Sequence, residues 1–146
     1  MSAEENKQVA RRWINAFLAG DTAVLEELVV EDFVDHNPQP VQKPARQGLL
    51  VILAGWRAAF PDLQATILHE VAEGEFVVQH GVALGTNTGP LMGRPATGKQ
   101  AQFPYMDMHR IVNGRTLKYG NSRTLLGCSI NLASCPPNGW GIPAQR

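Results

Sequence analysis

The sequence predicts an α+β fold in which three N-terminal helices pack on one strongly curved, mostly antiparallel sheet. Apolar residues recur at helical spacing up to about residue 60, and from about residue 63 they alternate with polar residues. The chain has 146 residues, of which 44% are hydrophobic and 18% are charged, which suffices for one core. We therefore expect a single domain over residues 1–146.

The three helices are marked by their ends. Ser2 and Glu5 form a capping-box pattern at the start of the first helix, and Gly20 is placed to end it. Asp21 is placed to cap a second, short helix. A third helix, rich in leucine, isoleucine and alanine, is expected from about residue 45 to residue 60.

The first hairpin is predicted over residues 63–72 and 75–87, joined by a two-residue turn at Glu73-Gly74. This register places His69 and His80 on one face as diagonal neighbours. Since a zinc site needs a third ligand, and none is suggested here, we expect no metal at this pair.

The second hairpin is predicted over residues 100–112 and 115–122, across Asn113-Gly114, a dipeptide typical of tight hairpin turns. In this register His109 lies opposite Lys118. The glycine-rich segment between the two hairpins is expected to be an ordered loop.

Charge and composition exclude several classes of function. Lys and Arg total 13, as do Asp and Glu, so the chain lacks the positive charge of a nucleic-acid-binding protein. No stretch has the roughly 20 apolar residues of a membrane span, and the acidic N-terminus lacks the pattern of a signal peptide. We therefore expect a cytoplasmic protein that binds neither nucleic acid nor a membrane.

One motif imitates a nucleotide site. Residues 93–99, Gly-Arg-Pro-Ala-Thr-Gly-Lys, match the first seven positions of a phosphate-binding loop. The next residue, Gln100, replaces the Ser or Thr that such a loop uses for magnesium, and a strand follows where a helix is required. Cys128 and Cys135 fit no metal or redox spacing. We therefore expect neither a bound metal nor a cofactor.

Asp107 and His109 are the candidate proton-transfer residues. Asp107 is the only carboxylate side chain after Glu75. In a strand it shares one face with His109 and with the aromatic rings of Phe103 and Tyr105. If that face lines a pocket, its apolar groups raise the pKa of the carboxyl toward the range useful for proton transfer. If the face meets solvent or a partner subunit, Asp107 pairs with a basic residue instead.

Further ligand-binding residues are expected on the first strand and on the helices. The short extended segment 33–37 ends beside a proline-rich loop, where His36 and Asn37 can face a ligand or hydrogen-bond their own turn. Four aromatic residues at helical spacing fit either a core or the lining of a flat apolar ligand site: Trp13, Phe17, Trp56 and Phe60.

Five blocks of sequence make the chain resemble the SnoaL-like polyketide cyclases, a branch of the nuclear transport factor 2-like (NTF2-like) superfamily. In chain order they are Trp13-Ile-Asn-Ala-Phe17 with Gly20-Asp21, Phe33-Val-Asp-His36-Asn37, Phe60-Pro-Asp62, the glycine-rich block 85–98, and Asp107-Met-His-Arg110 before Asn113-Gly114. The glycine-rich block is the most specific of the five, and it accounts for the imitation phosphate loop as a connection between strands.

The resemblance implies a cone-shaped fold with a deep apolar pocket, and homodimers that form through the sheet. It also implies a small hydrophobic, carbonyl-bearing substrate and ring closure by aldol addition without metal or organic cofactor. In such chemistry an acidic side chain removes a proton next to a carbonyl, and polar neighbours hold the enolate oxygen. Relatives with the same pocket include isomerases and epoxide hydrolases.

The chain departs from the family pattern where the family carries its acid. Arg123 or Thr124 stands at that place, within an atypical tail from about residue 123 to residue 146. The expected catalytic residues are therefore Asp107, His109 and His36, and the expected substrate-binding residues are Asn37, Tyr105, Arg123 and the four aromatic residues of the helices.

Two functions of other classes remain open at this point. A non-catalytic binding protein would keep the pocket and lack the acid. A protein–protein adaptor would show a shrunken pocket and a large exposed apolar patch.

Overall fold

A computed structural model describes residues 1–36, 38 and 42–122, with the side chains of residues 118–122 left aside. The described residues form helices α1 (Ala3–Ala19), α2 (Thr22–Leu28) and α3 (Ala45–Ala59), and strands β1 (Val29–Asp35), β2 (Gln64–Glu73), β3 (Phe76–Thr86), β4 (Gln100–Val112) and β5 (Arg115–Ser122). The predicted α+β fold is thereby confirmed. No helix in this part of the chain is long and apolar enough to cross a membrane.

The five strands form one mixed sheet in the order β1-β5-β4-β3-β2. The pairs among β2 to β5 are antiparallel, and β1 joins the far edge parallel to β5. Register shifts interrupt three of the four pairings, and such irregularities bend strands and increase their twist. One face of the sheet is covered by the helices, and the other is open to solvent.

The helix ends follow the predicted caps. Ser2 and Glu5 form the capping box of α1, and Gly20 ends that helix with φ at +71°. The carboxylate of Asp21 accepts a hydrogen bond of 3.1 Å from the backbone N–H of Val24, which caps α2. These caps fix α1 over the sheet, where its buried side joins the hydrophobic core.

The first hairpin corrects the predicted register. Its turn is Gly74-Glu75 rather than Glu73-Gly74, because Gly74 takes the positive φ (+55°) of the first turn position. His69 therefore pairs directly with His80 instead of diagonally, and their Nδ1 atoms lie 3.3 Å apart. Both rings lie on the outer face of the sheet, so the predicted common face is confirmed.

The second hairpin has the predicted turn and a different register beyond it. Asn113 and Gly114 both have positive φ (+50° and +74°), as tight hairpin turns of this type require. A register shift between Arg110 and Ile111 moves the pairing by one residue, so His109 lies opposite Tyr119 and not Lys118.

Asn87 organises the loop between β3 and β4. Its side chain donates 2.8 Å to the carbonyl of Gly89 and accepts from the backbone N–H of Thr97, also at 2.8 Å. The backbone of Thr88 donates to the carbonyl of Ala59 at the end of α3. This loop contains the segment 93–99, and strand β4 begins directly after it at Gln100, which confirms the predicted strand at the place where a phosphate-binding loop opens a helix.

Candidate functional site

The inner face of β4 carries the candidate site. Its alternate side chains are all buried beneath the helices: Ala101, Phe103, Tyr105, Asp107, His109 and Ile111. The period of a strand is two residues, so this alternation places an acid and an imidazole among apolar groups. The expected common face of Asp107 and His109 thus points into the molecule and not to solvent.

A cavity of about 50 Å³ lies between this face and helices α1 and α3. Its lining is Ile14, Phe17, Leu18, Trp56, Leu63, Ala65, Ala83, Phe103, Tyr105 and Asp107. Such a volume holds water-sized groups and is far below the roughly 300 Å³ at which ligand pockets begin. An organic ligand therefore enters only if lining side chains move.

Small residues leave the space for this cavity. Ala65 of β2 pairs with Ala83 of β3, which in turn pairs with Phe103 of β4. The methyl groups of Ala65 and Ala83 are too small to fill the space between the sheet and the helices. The aromatic rings of α1, α3 and β4 therefore enclose a cavity there. The first hairpin brings these two alanines together only in its observed register.

Tyr105 supplies a hydrogen-bond donor in the cavity. Its hydroxyl is buried and makes no hydrogen bond within the described residues. Burial, with a smaller contribution from the charge of Asp107, raises the pKa of Tyr105 to about 12. The ring stands over Gly81, where a Cβ atom would lie 2.6 Å from the hydroxyl oxygen. The hydroxyl thus keeps its proton at neutral pH and can donate it to a ligand oxygen.

His109 lies beside the cavity rather than in its lining. Its ring is fully buried and meets the ring of Trp13 edge-on, with 5.3 Å between the centroids. Burial lowers the pKa of His109 to about 4, because the apolar core disfavours the charged imidazolium. At neutral pH His109 is therefore an uncharged imidazole.

The four helix aromatics divide between core and cavity. Phe17 and Trp56 line the cavity, whereas Trp13 and Phe60 are buried in the core behind it. Trp56 stacks on Phe60 at 5.7 Å with an interplanar angle of 17°, and Phe103 meets both rings edge-on. This aromatic cluster fixes one wall of the cavity.

Of the remaining expected site residues, only His36 lies in the part of the chain that the structure describes, and it is not brought to the cavity. His36 is exposed at the end of β1 and lies outside the lining. Asn37 and Arg123 lie outside the described residues. Six lining residues were not among the expected binding residues, namely Ile14, Leu18, Leu63, Ala65, Ala83 and Phe103. Of these six, only Phe103 could have been predicted from the sequence, because it shares its strand face with Asp107.

The part of the chain that the structure describes contains no cluster of metal-ligating side chains. No group of three or more His, Cys, Asp or Glu side chains there could hold a metal ion. The chemistry available in the cavity is that of a buried carboxyl group and a phenol among apolar walls.

Comparison with known proteins identifies what the chain is similar to. Residues 7–119 match the family model of the SnoaL-like polyketide cyclases. A search of curated protein sequences found no match. Among solved structures, IdmH of Streptomyces antibioticus, a proposed polyketide cyclase, is 28% identical, with a TM-score of 0.75 over 88% of this chain and 98% of its own.

Two further structures share the fold. TsrD of Streptomyces laurentii is 23% identical, with a TM-score of 0.79 over 90% of this chain and 97% of its own. AclR of Streptomyces galilaeus, a proposed hydroxylase, is 20% identical, with a TM-score of 0.78 over 92% of this chain and all of its own. At these identities the likeness establishes the fold alone.

The burial of neutral His109 predicts a pH-dependent stability. In the unfolded chain an imidazole titrates near pH 6.5, and in the folded protein its pKa is about 4. Between these values the unfolded state binds more protons, so the free energy of unfolding should fall as the pH decreases from 6.5 to 4, by about 3 kcal/mol in total.

Urea denaturation of the wild type, His109→Gln and His36→Gln at pH 7.5 and pH 4.5 measures this contribution. His109→Gln should lose it, and the exposed-histidine control His36→Gln should keep it. Equal pH dependence in all three proteins would show that burial of His109 does not have this effect.

Proposed function

The chain belongs to the SnoaL-like polyketide cyclase family, and on that premise we propose that it is a cofactor-independent enzyme that moves protons on an apolar, carbonyl-bearing substrate. The observation that carries this proposal is the cavity in which Asp107 and Tyr105 are the polar side chains among apolar ones. A buried carboxyl group beside a phenol donor is suited to proton abstraction next to a carbonyl.

Asp107 acts as the base in this proposal. Its carboxylate removes a proton from the carbon next to the carbonyl, and the electron pair of the C–H bond passes into an enolate. Tyr105 donates a hydrogen bond to the enolate oxygen and keeps its own proton, consistent with its pKa of about 12. In aldol ring closure the enolate then attacks a second carbonyl, and the alkoxide that forms takes the proton back from the Asp107 carboxyl group. In an isomerisation, an enolate extended by a conjugated C=C bond takes that proton at another carbon.

The environments of Asp107 and His109 favour different roles for the two residues. Asp107 lines the cavity, and the adjacent His109 contacts Trp13 in the core. Burial lowers the pKa of His109 to about 4, so the neutral imidazole is favoured near neutrality over a cationic acid. We assign it to holding the inner face of β4 in place. His36, Asn37 and Arg123 stay predicted as polar partners of the substrate.

A non-catalytic binding protein is the second candidate, because Arg123 or Thr124 stands where the family pattern has its acid. The cavity of about 50 Å³ would have to enlarge before either an enzyme or a binding protein could admit a ring-sized ligand. Such a protein would bind a ketone and leave its carbon-bound protons in place, which separates it from the enzyme in one experiment.

Exchange of carbon-bound protons tests the assignment of Asp107. Wild-type protein in D₂O should catalyse deuterium exchange next to the carbonyl of cyclohexanone or 2-tetralone, followed by proton NMR. Asp107→Asn should retain ketone binding and lose at least about 100-fold in exchange rate, the usual contribution of a general base. The exposed-carboxylate control Asp32→Asn should behave as wild type.

Two results would contradict this assignment. Exchange at the wild-type rate in Asp107→Asn would exclude Asp107 as the base. Binding of a ketone by the wild type without exchange above the buffer rate would favour the binding protein over the enzyme.

We further propose that the chain forms a homodimer through the outer face of its sheet. That face carries apolar side chains that are 44–63% exposed, namely Val71, Phe76, Met106 and Met108. The register places Val71, Val78 and Met108 side by side across three strands, so the exposed groups form one continuous patch. A patch of this kind on a soluble protein marks an interaction surface. A protein–protein adaptor would present the same apolar patch. A second copy of this chain would cover the patch without a different protein as partner.

Light scattering during size-exclusion chromatography tests the dimer. Wild-type protein should show twice the mass of one chain, and Met108→Glu should show the mass of one chain, because it places a charge within the apolar contact. Val51→Glu is the matched control, since Val51 is 69% exposed on α3, away from the sheet. A monomeric wild type, or a dimeric Met108→Glu, would contradict this interface.

A further inference from the structure

A row of polar side chains crosses the inner face of the sheet at the level of Asp107. Glu70 of β2 pairs directly with Gln79 of β3, and Gln79 pairs directly with Asp107 of β4. Directly opposed residues have Cβ atoms about 5 Å apart, so their side chains are within reach of one another. Gln79 therefore lies between two acidic side chains, in a part of the core that is otherwise apolar.

The orientation of the Gln79 amide follows from its neighbour. Its Nε2 atom donates a hydrogen bond of 2.7 Å to Oε1 of Glu70, whose other carboxylate oxygen is paired with the guanidinium of Arg11. A carboxylate offers no hydrogen to donate, so the amide nitrogen has to face Glu70. The amide oxygen of Gln79 must consequently face away from Glu70.

The amide oxygen of Gln79 lacks a donor. Gln79 is fully buried, and its Oε1 atom makes no hydrogen bond within residues 1–36, 38 and 42–122. Leaving a buried acceptor without a donor is unfavourable, so such an atom needs an explanation, and a donor group that arrives or changes state is one. The cross-strand neighbour on the open side is Asp107, and a carboxyl group becomes a donor when it takes up a proton.

We propose that Gln79 is a positioning residue for Asp107, whose buried amide oxygen accepts the hydrogen bond of the Asp107 carboxyl group once that group has taken up a proton. This inference rests on the proposed function, in which Asp107 receives a proton from the substrate carbon. The chain of contacts from Arg11 through Glu70 fixes the acceptor before the reaction, so no reorientation of the amide is needed at that moment.

The arrangement favours the protonated form of Asp107 and thereby makes the carboxylate a stronger base. When Asp107 is ionised, its oxygens and the oxygen of Gln79 are both acceptors and repel each other. When Asp107 is protonated, the O–H group satisfies Gln79. A hydrogen bond to the neutral form of an acid disfavours its ionisation.

Tyr105 and His109 are the titratable groups that share the described face of β4 with Asp107. Tyr105 has a pKa of about 12 and His109 has one of about 4, so neither changes charge between pH 5 and pH 9. Glu70 and Arg11 are linked to this site through Gln79. Asn121 lies opposite Asp107 on β5 and carries an amide, which does not titrate.

A direct titration of Asp107 tests the proposal without any substrate. Carbon-13 NMR of protein labelled at the aspartate carboxyl carbons, assigned with Asp107→Asn, gives the titration midpoint of Asp107. Gln79→Met keeps the length of the side chain and removes the acceptor. Its midpoint should lie about one pH unit or more below the wild-type value, a tenfold loss of proton affinity.

Three further variants separate this effect from loss of packing and from loss of charge. In Glu70→Gln the new amide can accept or donate, so the Gln79 amide is free to turn its N–H toward Asp107, and the midpoint should again fall, with a contribution from the removed charge. Gln79→Leu removes the acceptor without a change of charge and carries the test if Gln79→Met does not fold. Gln102→Met removes an exposed glutamine from the outer face of β4 and should leave the midpoint at the wild-type value.

The outcome distinguishes this proposal from the proposed function. Midpoints in Gln79→Met and Glu70→Gln equal to that of Gln102→Met would overturn the role of Gln79, even if Asp107→Asn abolishes ketone exchange. Lowered midpoints would support the role of Gln79, and ketone exchange retained in Asp107→Asn would then count against the proposed function alone.

Discussion

The burial of one carboxyl group in an apolar interior is the constraint on which the candidate site depends. Asp107 occupies an inward position of β4, and every other inward position of that strand is apolar, aromatic or a neutral imidazole. A charge in such surroundings is unfavourable unless neighbouring groups compensate it. The donor Tyr105 lies two residues away on the same strand, the acceptor Gln79 lies opposite on β3, and in the proposed reaction each suits a different stage of proton transfer.

The fold serves this constraint by combining regular strands with local irregularities. Regular alternation in β4 brings all its inner side chains under α1 and α3. Two paired alanines in β2 and β3 leave a gap above them, and the aromatic cluster of Trp56, Phe60 and Phe103 keeps that gap from closing. The same sheet presents its other face as an exposed apolar surface. One sheet thus carries the proposed ligand site on its inner face and the proposed association surface on its outer face.

The sequence was sufficient for the fold and for which side chains of β4 share a face, and insufficient for the direction of that face and for the cavity. Caps at Ser2 and Asp21 and the turn at Asn113-Gly114 are local signals that depend on few neighbours, and all three are confirmed. The lining of the cavity depends on strand register. In the first hairpin the turn lies one residue later than predicted, at Gly74-Glu75, and the register of β2 against β3 differs accordingly. Gln79 was not predicted as a site residue. Its proposed role depends on its cross-strand pairing with Glu70 and Asp107, and the spacing of residues along the sequence does not reveal such a pairing.

The central claim is that a carbonyl compound reacts between Asp107 and Tyr105. A crystal structure of the protein soaked with 2-tetralone tests this claim most directly. Our account predicts the ketone in an enlarged cavity, with its oxygen within hydrogen-bond distance of the Tyr105 hydroxyl and the neighbouring carbon against the Asp107 carboxylate. A ketone bound elsewhere, or bound in the cavity with its oxygen turned away from Tyr105, would contradict the account.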